Sequence, residues 1–190
     1  MKIQINRPVA PNTKVLNKYL KVIEKNGWYT NFGPLHEELT EKLQSYLGVD
    51  NLLLVSNGTL ALHVAYRALD IKNAICTPFS FAATASSLAW EKIPMRFCDI
   101  NKETLNIDPC NVEKALKNDG KIDSLVATHV YGNACEVKDF ERISSQYNIK
   151  IIYDAAHAFG INFGDKSLLT YGDAATLSLH ATKLFHTVEG

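Results

Sequence analysis

The chain has 190 residues with 20 Lys+Arg against 20 Asp+Glu, so its formal charge is zero and it offers no net electrostatic footprint for nucleic acid or an anionic membrane. With 46% hydrophobic and 21% charged residues, 10 Gly and 6 Pro, it has the composition of a globular protein with a core, neither disordered nor collagenous. No run approaches the ~18 apolar residues of a membrane span, and residues 1–11 hold no apolar signal region, so a cytoplasmic protein is expected.

In chain order, an amphipathic stretch begins near Asn12 or Thr13, carries Leu16, Tyr19, Leu20 and Ile23, and ends at Asn26-Gly27. A second helix starts at Pro34, repeats Leu35, Leu39, Leu43, Tyr46 and Leu47 on one face, and stops at Gly48. Apolar, β-rich runs then alternate with amphipathic ones. Strands are expected at 51–55, 74–77, 95–99, 124–128, 150–154 and 174–179. Helices are expected at 59–69, 81–90, 109–116 and 137–147, with a short hairpin around the Gly-Asp turn of 163–167. Runs such as Leu52-Leu53-Leu54-Val55 and Ile151-Ile152 suit strands covered on both faces. Alternating strand and helix imply a three-layer α/β/α unit with a mainly parallel sheet. No repeat, low-complexity segment or linker divides the chain, so one domain over 1–190 is expected, with 1–33 as an N-terminal helix and loop and 34–190 as the α/β core.

In such sheets ligands bind beyond the carboxyl ends of the strands. After the run at 51–55, Ser56-Asn57-Gly58-Thr59 leads into a helix, which points free N–H groups and the positive end of the helix dipole at whatever lies there. A phosphate fits that place; so does a plain helix cap made by Ser56 or Asn57. Asp154 ends an apolar strand, where a carboxylate is costly to keep ionised unless something cationic or donating faces it. A structural ion pair or cap is the other reading, and His157 equally fits a partly buried structural imidazole. Lys183 lies five residues after Ser178 in an apolar segment. A lysine so placed tends to shed its proton, and the free amine can condense with an aldehyde, although a single lysine is more simply a surface charge.

Other chemistries lack their signatures. The cysteines Cys76, Cys98, Cys110 and Cys135 form no C-x-x-C pair, and the six histidines form no H-E-x-x-H or H-x-H cluster, so no metal site is expected and the thiols read as reduced and mostly buried. A G-x-S-x-G elbow is absent too.

Several segments together resemble one family. They are Gly27-Trp28-Tyr29-Thr30-Asn31-Phe32-Gly33-Pro34, Ser56-Asn57-Gly58-Thr59-Leu60-Ala61-Leu62-His63, Pro78-Phe79-Ser80-Phe81-Ala82-Ala83-Thr84, Asp99 with Asn106-Ile107-Asp108-Pro109, His129-Val130-Tyr131-Gly132, Asp154-Ala155-Ala156-His157-Ala158, and Gly172 through Lys183. In this order they resemble the sugar-nucleotide aminotransferases of the DegT/DnrJ/EryC1/StrS family, pyridoxal-phosphate (PLP) enzymes of the aspartate-aminotransferase fold type. The resemblance implies that Lys183 binds PLP covalently and shuttles the proton, and that Asp154 pairs with the pyridine nitrogen. It further implies that Phe81 stacks on the ring, that His157 lies on the ring or its O3′ side, and that Gly58, Thr59 and Ser178 hold the phosphate.

The implied reaction moves an amino group, commonly from glutamate, to a keto-deoxyhexose carried on a nucleotide, with 4-amino-4,6-dideoxyhexoses for surface glycans such as O-antigen as the expected products. The implied partners are the nucleotide sugar, the amino-acid donor and a second copy of the chain in a homodimer, with neither nucleic acid nor membrane. Members of the family are longer, and this sequence stops seven residues beyond Lys183. A truncated large domain without the family's C-terminal domain is therefore expected, with one sheet edge unpaired. Two alternatives stand beside transamination: a fragment that binds PLP weakly or not at all, and another PLP reaction, such as β-elimination or aldol cleavage, on the same fold.

Overall fold

The computed structural model describes residues 7–189, so the first six residues of the expected N-terminal segment and Gly190 lie outside it. The chain divides into two compact units, residues 1–54 and 55–190. The second unit holds helices α3 (Gly58–Ala68), α4 (Ala82–Trp90), α5 (Pro109–Asn118) and α6 (Val137–Tyr147). Its main sheet contains β1 (Ala74–Cys76), β2 (Met95–Phe97), β3 (Ser124–Thr128) and β4 (Lys150–Asp154). A small hairpin of β5 (Asn162–Phe163) and β6 (Lys166–Ser167) precedes the last strand, β7 (Ala174–Thr176). The main sheet runs β2-β1-β3-β4-β7 with every pair parallel.

Side-chain alternation along the strands builds two cores, one on each side of the sheet. Ile75, Leu125, Ala127, Ile151 and Tyr153 pack with Val112 of α5 and Phe140 and Ile143 of α6. Their neighbours Ala74, Cys76, Val126 and Ile152 pack with Leu62 and Tyr66 of α3 and Leu88 of α4. All five residues of β3 are buried, which explains why its sequence is apolar without alternation. Helices on both faces are what a parallel sheet requires, and the three-layer arrangement expected from the sequence is present.

Three strands depart from expectation. The second, β2, ends at Phe97 rather than at residue 99. Residues 51–55 form no ladder, and Leu53 is 61% exposed. Apolar composition supplies a strand's side chains but not its hydrogen-bonding neighbour, and among the described residues this segment has none. The last strand is shorter than the expected 174–179. Its partner β4 pairs through Asp154↔Thr176 and ends there, so the ladder stops and residues 177–183 leave as a loop. The hairpin pairs Phe163 with Lys166 across a two-residue turn whose Gly164 has φ +63°, a conformation that suits glycine. Of the four free thiols Cys76, Cys98 and Cys135 are buried and Cys110 is exposed. No described helix is long and apolar enough to cross a membrane.

The first unit holds α1 (Thr13–Asn26), capped by the Asn12 side chain and closed by Gly27, and α2 (Pro34–Leu47), closed by Gly48. Between them the Trp28 indole donates to the Asn31 carbonyl at 3.2 Å. A side chain at Gly33 would meet that ring at 2.9 Å, so the turn needs a glycine there.

Just past β3, His129 is fully buried and stacks on Tyr153 at 4.5 Å between ring centroids. Its Nδ1 accepts the Cys135 backbone N–H at 3.1 Å, so the neutral ring carries its proton on Nε2, which has no partner. Burial pushes its pKa down from 6.5 to about 4.

Two measurements test this core. Unfolding frees His129 to take up a proton near pH 6.5 that the folded ring refuses until about pH 4, so stability falls as pH drops through that window. The contribution is roughly 3 kcal/mol, present above pH 6.5, and His129→Gln should flatten the slope of urea midpoint against pH between those limits. Ile152→Ala, which empties a site fully enclosed between β4 and the α3–α4 layer, should cost about 2–5 kcal/mol by the same urea titration.

Candidate active site

The carboxyl ends of β1, β3, β4 and β7 lie along one edge of the sheet, and the residues that follow them form the candidate site. Asp154 is placed there by β4, in register with Thr128 on one side and Thr176 on the other. Backbone hydrogen bonds hold the strand end from both sides: the His129 N–H reaches the Asp154 carbonyl at 3.0 Å, and the Ala155 N–H reaches the Thr176 carbonyl at 2.9 Å. Asp154 is 5% exposed. Its Oδ2 accepts the Thr84 hydroxyl at 2.6 Å and its Oδ1 accepts the Ala156 N–H at 3.2 Å.

Lys183 follows β7 on the loop at 177–183, where its N–H bonds the His180 carbonyl at 2.8 Å. Burial holds its amine below the ordinary lysine range, and the Asp154 charge opposes that effect. His157 is likewise lowered, first by burial and then by the Lys183 charge, with Asp154 acting in the other direction. Asp154, His157 and Lys183 are thus mutually coupled. Lys183 forms no ion pair within 4 Å among the described residues, so its amine remains open to an incoming group.

The His157 ring lies parallel to that of Tyr131, at 6.1 Å between centroids. Beside it Gly132 has φ +84°, and a Cβ there would meet the His157 carbonyl oxygen at 2.9 Å, so only glycine allows the two backbones this approach.

A second group of residues gathers at the start of α3. The Asn57 side chain accepts the Leu60 N–H at 2.8 Å, which selects Asn57 over Ser56 as the cap. The Gly58 and Thr59 N–H groups, in the first helical turn, have no acceptor among the described residues and coincide with the positive end of the helix dipole. A Cβ on Gly58 would stand 3.1 Å from the Leu177 carbonyl oxygen and from the Ser178 Cβ. Gly58 and Ser178 are therefore neighbours.

Phe81 caps α4 with its ring 76% exposed, and its carbonyl accepts the Thr84 N–H at 3.1 Å. Sequence reasoning singled out Asp154 but not the hydroxyl that holds it, because a threonine in the first turn of a helix reads as local capping.

These features fit PLP on chemical grounds: an unpaired amine of lowered proton affinity, a buried acceptor-only carboxylate, and free N–H groups at a helix start beside a serine. No group of three or more His, Cys, Asp or Glu able to hold a metal occurs among the described residues.

Comparison with known proteins agrees. The profile of the DegT/DnrJ/EryC1/StrS aminotransferase family, whose members are PLP-dependent, matches residues 12–190. The dTDP-4-amino-4,6-dideoxy-D-glucose transaminase of Shigella dysenteriae is 43% identical over 189 residues, 99% of this chain and 51% of that protein. Its counterpart in Escherichia coli is 42% identical over 170 residues, 88% of this chain and 45% of that protein. Among solved structures, DesI in the presence of its TDP-sugar product superimposes with a TM-score of 0.92 at 28% identity, covering 98% of this chain and 47% of that one. The chain spans about half the length of the curated relatives it matches. On the profile match and the identity to these transaminases, the chain belongs to the DegT/DnrJ/EryC1/StrS aminotransferase family.

Proposed function

We propose that this chain carries the PLP site of an aminotransferase that moves an amino group, with glutamate as donor, onto the ketone of a nucleotide-linked 4-keto-6-deoxyhexose. The observation that carries the reading is the coupling of Lys183, an amine held below the ordinary lysine range, to the buried carboxylate of Asp154 at the end of β4. The identity to two dTDP-4-amino-4,6-dideoxy-D-glucose transaminases supports the substrate class. On this reading the protein is cytoplasmic, works as a homodimer and serves surface-glycan synthesis such as that of O-antigen.

Each residue has a part. The Gly58 and Thr59 N–H groups and the Ser178 hydroxyl hold the phosphate. Phe81 covers one face of the ring, and His157 flanks it. Asp154 accepts the N–H of the pyridine nitrogen and keeps that proton in place. When bound, PLP supplies an aldehyde that takes up amines and a ring that accepts electron density. Lys183 would hold that aldehyde through its neutral amine, and its Nζ is the group that would take and return the protons at the donor's α-carbon and the sugar carbon. Lowered proton affinity serves both tasks, because a lysine of ordinary affinity is almost wholly cationic at neutral pH.

Cofactor loading and turnover are tested separately. Borohydride reduction of the chain mixed with PLP, followed by peptide mapping, should place a stable adduct on Lys183, and Lys183→Ala should abolish the adduct without changing the thermal midpoint. An adduct on another lysine, or none in a folded sample, overturns the site. With glutamate and a dTDP-4-keto-6-deoxyhexose, the loaded protein should form amino sugar, and Asp154→Asn should still form the Lys183 adduct at saturating PLP while product formation slows by orders of magnitude, since a neutral amide gives the pyridinium no charge partner. Ammonia release without amino sugar would exclude transamination in favour of another PLP reaction. A strictly monomeric sedimentation profile would overturn the homodimer.

A further inference from the structure

We infer that Thr84 is the positioning residue for Asp154, the last link of a one-way chain of hydroxyls that orients the carboxylate and holds it as an acceptor. The inference rests on the PLP site proposed above. Thr84 is fully buried on α4 and bonds Asp154 Oδ2 at 2.6 Å. Ser80 Oγ lies 2.7 Å from Thr84 Oγ1 and 3.0 Å from Thr128 Oγ1. Thr128 ends β3, in register with Asp154 itself, so the chain of hydroxyls leaves the sheet beside the carboxylate and returns to it through the loop after β1 and the first turn of α4.

The direction of this chain follows from proton counting. An ionised carboxylate only accepts, so Thr84 spends its single hydroxyl proton on Asp154. It must then accept from Ser80, and Ser80, with its own proton committed, must accept from Thr128. Each link polarises the next toward the carboxylate. Together with the Ala156 N–H on Oδ1, the arrangement gives each Asp154 oxygen a fixed protein donor. The remaining lone pairs are left for the ring nitrogen. A carboxylate held this way draws less strongly on the proton of that nitrogen, which therefore stays on the ring.

Thr84→Val and Thr84→Ser separate this role from packing, because valine keeps the shape and loses the hydroxyl while serine keeps the hydroxyl and loses a methyl. The full chain is loaded with PLP labelled with 15N in the ring, and two quantities are read: the ring-nitrogen NMR shift across pH, and the concentration of PLP needed to half-saturate Lys183. Thr84→Val should move the ring nitrogen toward its unprotonated shift and weaken PLP retention about 10- to 100-fold, the loss expected for a hydrogen bond to a charged group. Thr84→Ser should restore both, and Ser80→Ala should shift both in the same direction by less.

A valine variant matching the wild type in both readouts, or a serine variant as impaired as valine, overturns the inference while the site stands. If Thr84→Val fails to fold, Ser80→Ala decides, and an unchanged ring-nitrogen shift there overturns it. A wild type that forms no adduct on Lys183 overturns the PLP site and this inference together.

Discussion

Everything in the candidate site depends on one costly placement: a carboxylate at the buried end of a central strand. Asp154 lies where β3, β4 and β7 run in parallel register, with strands on both sides and a helical layer on each face. Such a place offers little water to hydrate a charge, so the protein must supply donors. It does so through Thr84 on one oxygen and the Ala156 N–H on the other. Packing alone gives no reason for an acid here. Under the proposed function, a ring nitrogen and its proton would supply that reason.

The same parallel sheet explains why the other functional groups converge. Parallel strands send all their carboxyl ends to one edge, so segments far apart in sequence, at 80–84, 128–132, 154–157 and 177–183, meet around that edge, and the start of α3 joins them where Gly58 lies against Ser178. The two cores beneath them fix the sheet through alternate residues of each strand, which pins the register. A slip of one residue in β4 would turn the Asp154 side chain to the opposite face. Precision at the site is thus inherited from apolar side chains that take no part in the chemistry.

Electrostatics then divide the labour among three coupled groups. Burial lowers the proton affinity of both Lys183 and His157, and Asp154 works against that shift in each. Because Lys183 makes no ion pair within 4 Å among the described residues, desolvation dominates its behaviour, which is the condition for a reactive amine. His129 shows the contrasting case. It is more deeply buried and committed to Cys135 and Tyr153, and it serves the core.

Helix signals were legible because they are local. Asn12, Pro34, Asn57 and Pro109 mark helix starts, and Gly27 and Gly48 mark ends, through caps and φ preferences that act within a few residues. The buried strands β1, β3 and β4 were legible from continuous apolar runs, whereas Asp154 and Lys183, which follow such runs, read singly just as well as a cap or ion pair and as a surface charge. The segment at 51–55 shows the limit: its residues read as a strand, yet a ladder needs a neighbour that no local pattern supplies. Likewise β7 ends with its partner rather than with its own apolar residues.

Nothing in the order of residues shows that Thr84 reaches Asp154, that Ser80 bridges Thr84 to Thr128, or that Gly58 must clear Ser178. The sequence by itself determined the helices, the buried strands and the layer architecture, because propensity, periodicity and capping are short-range. Only the tertiary structure decided which hydroxyl meets which carboxylate, because hydrogen bonds and desolvation depend on separation in space.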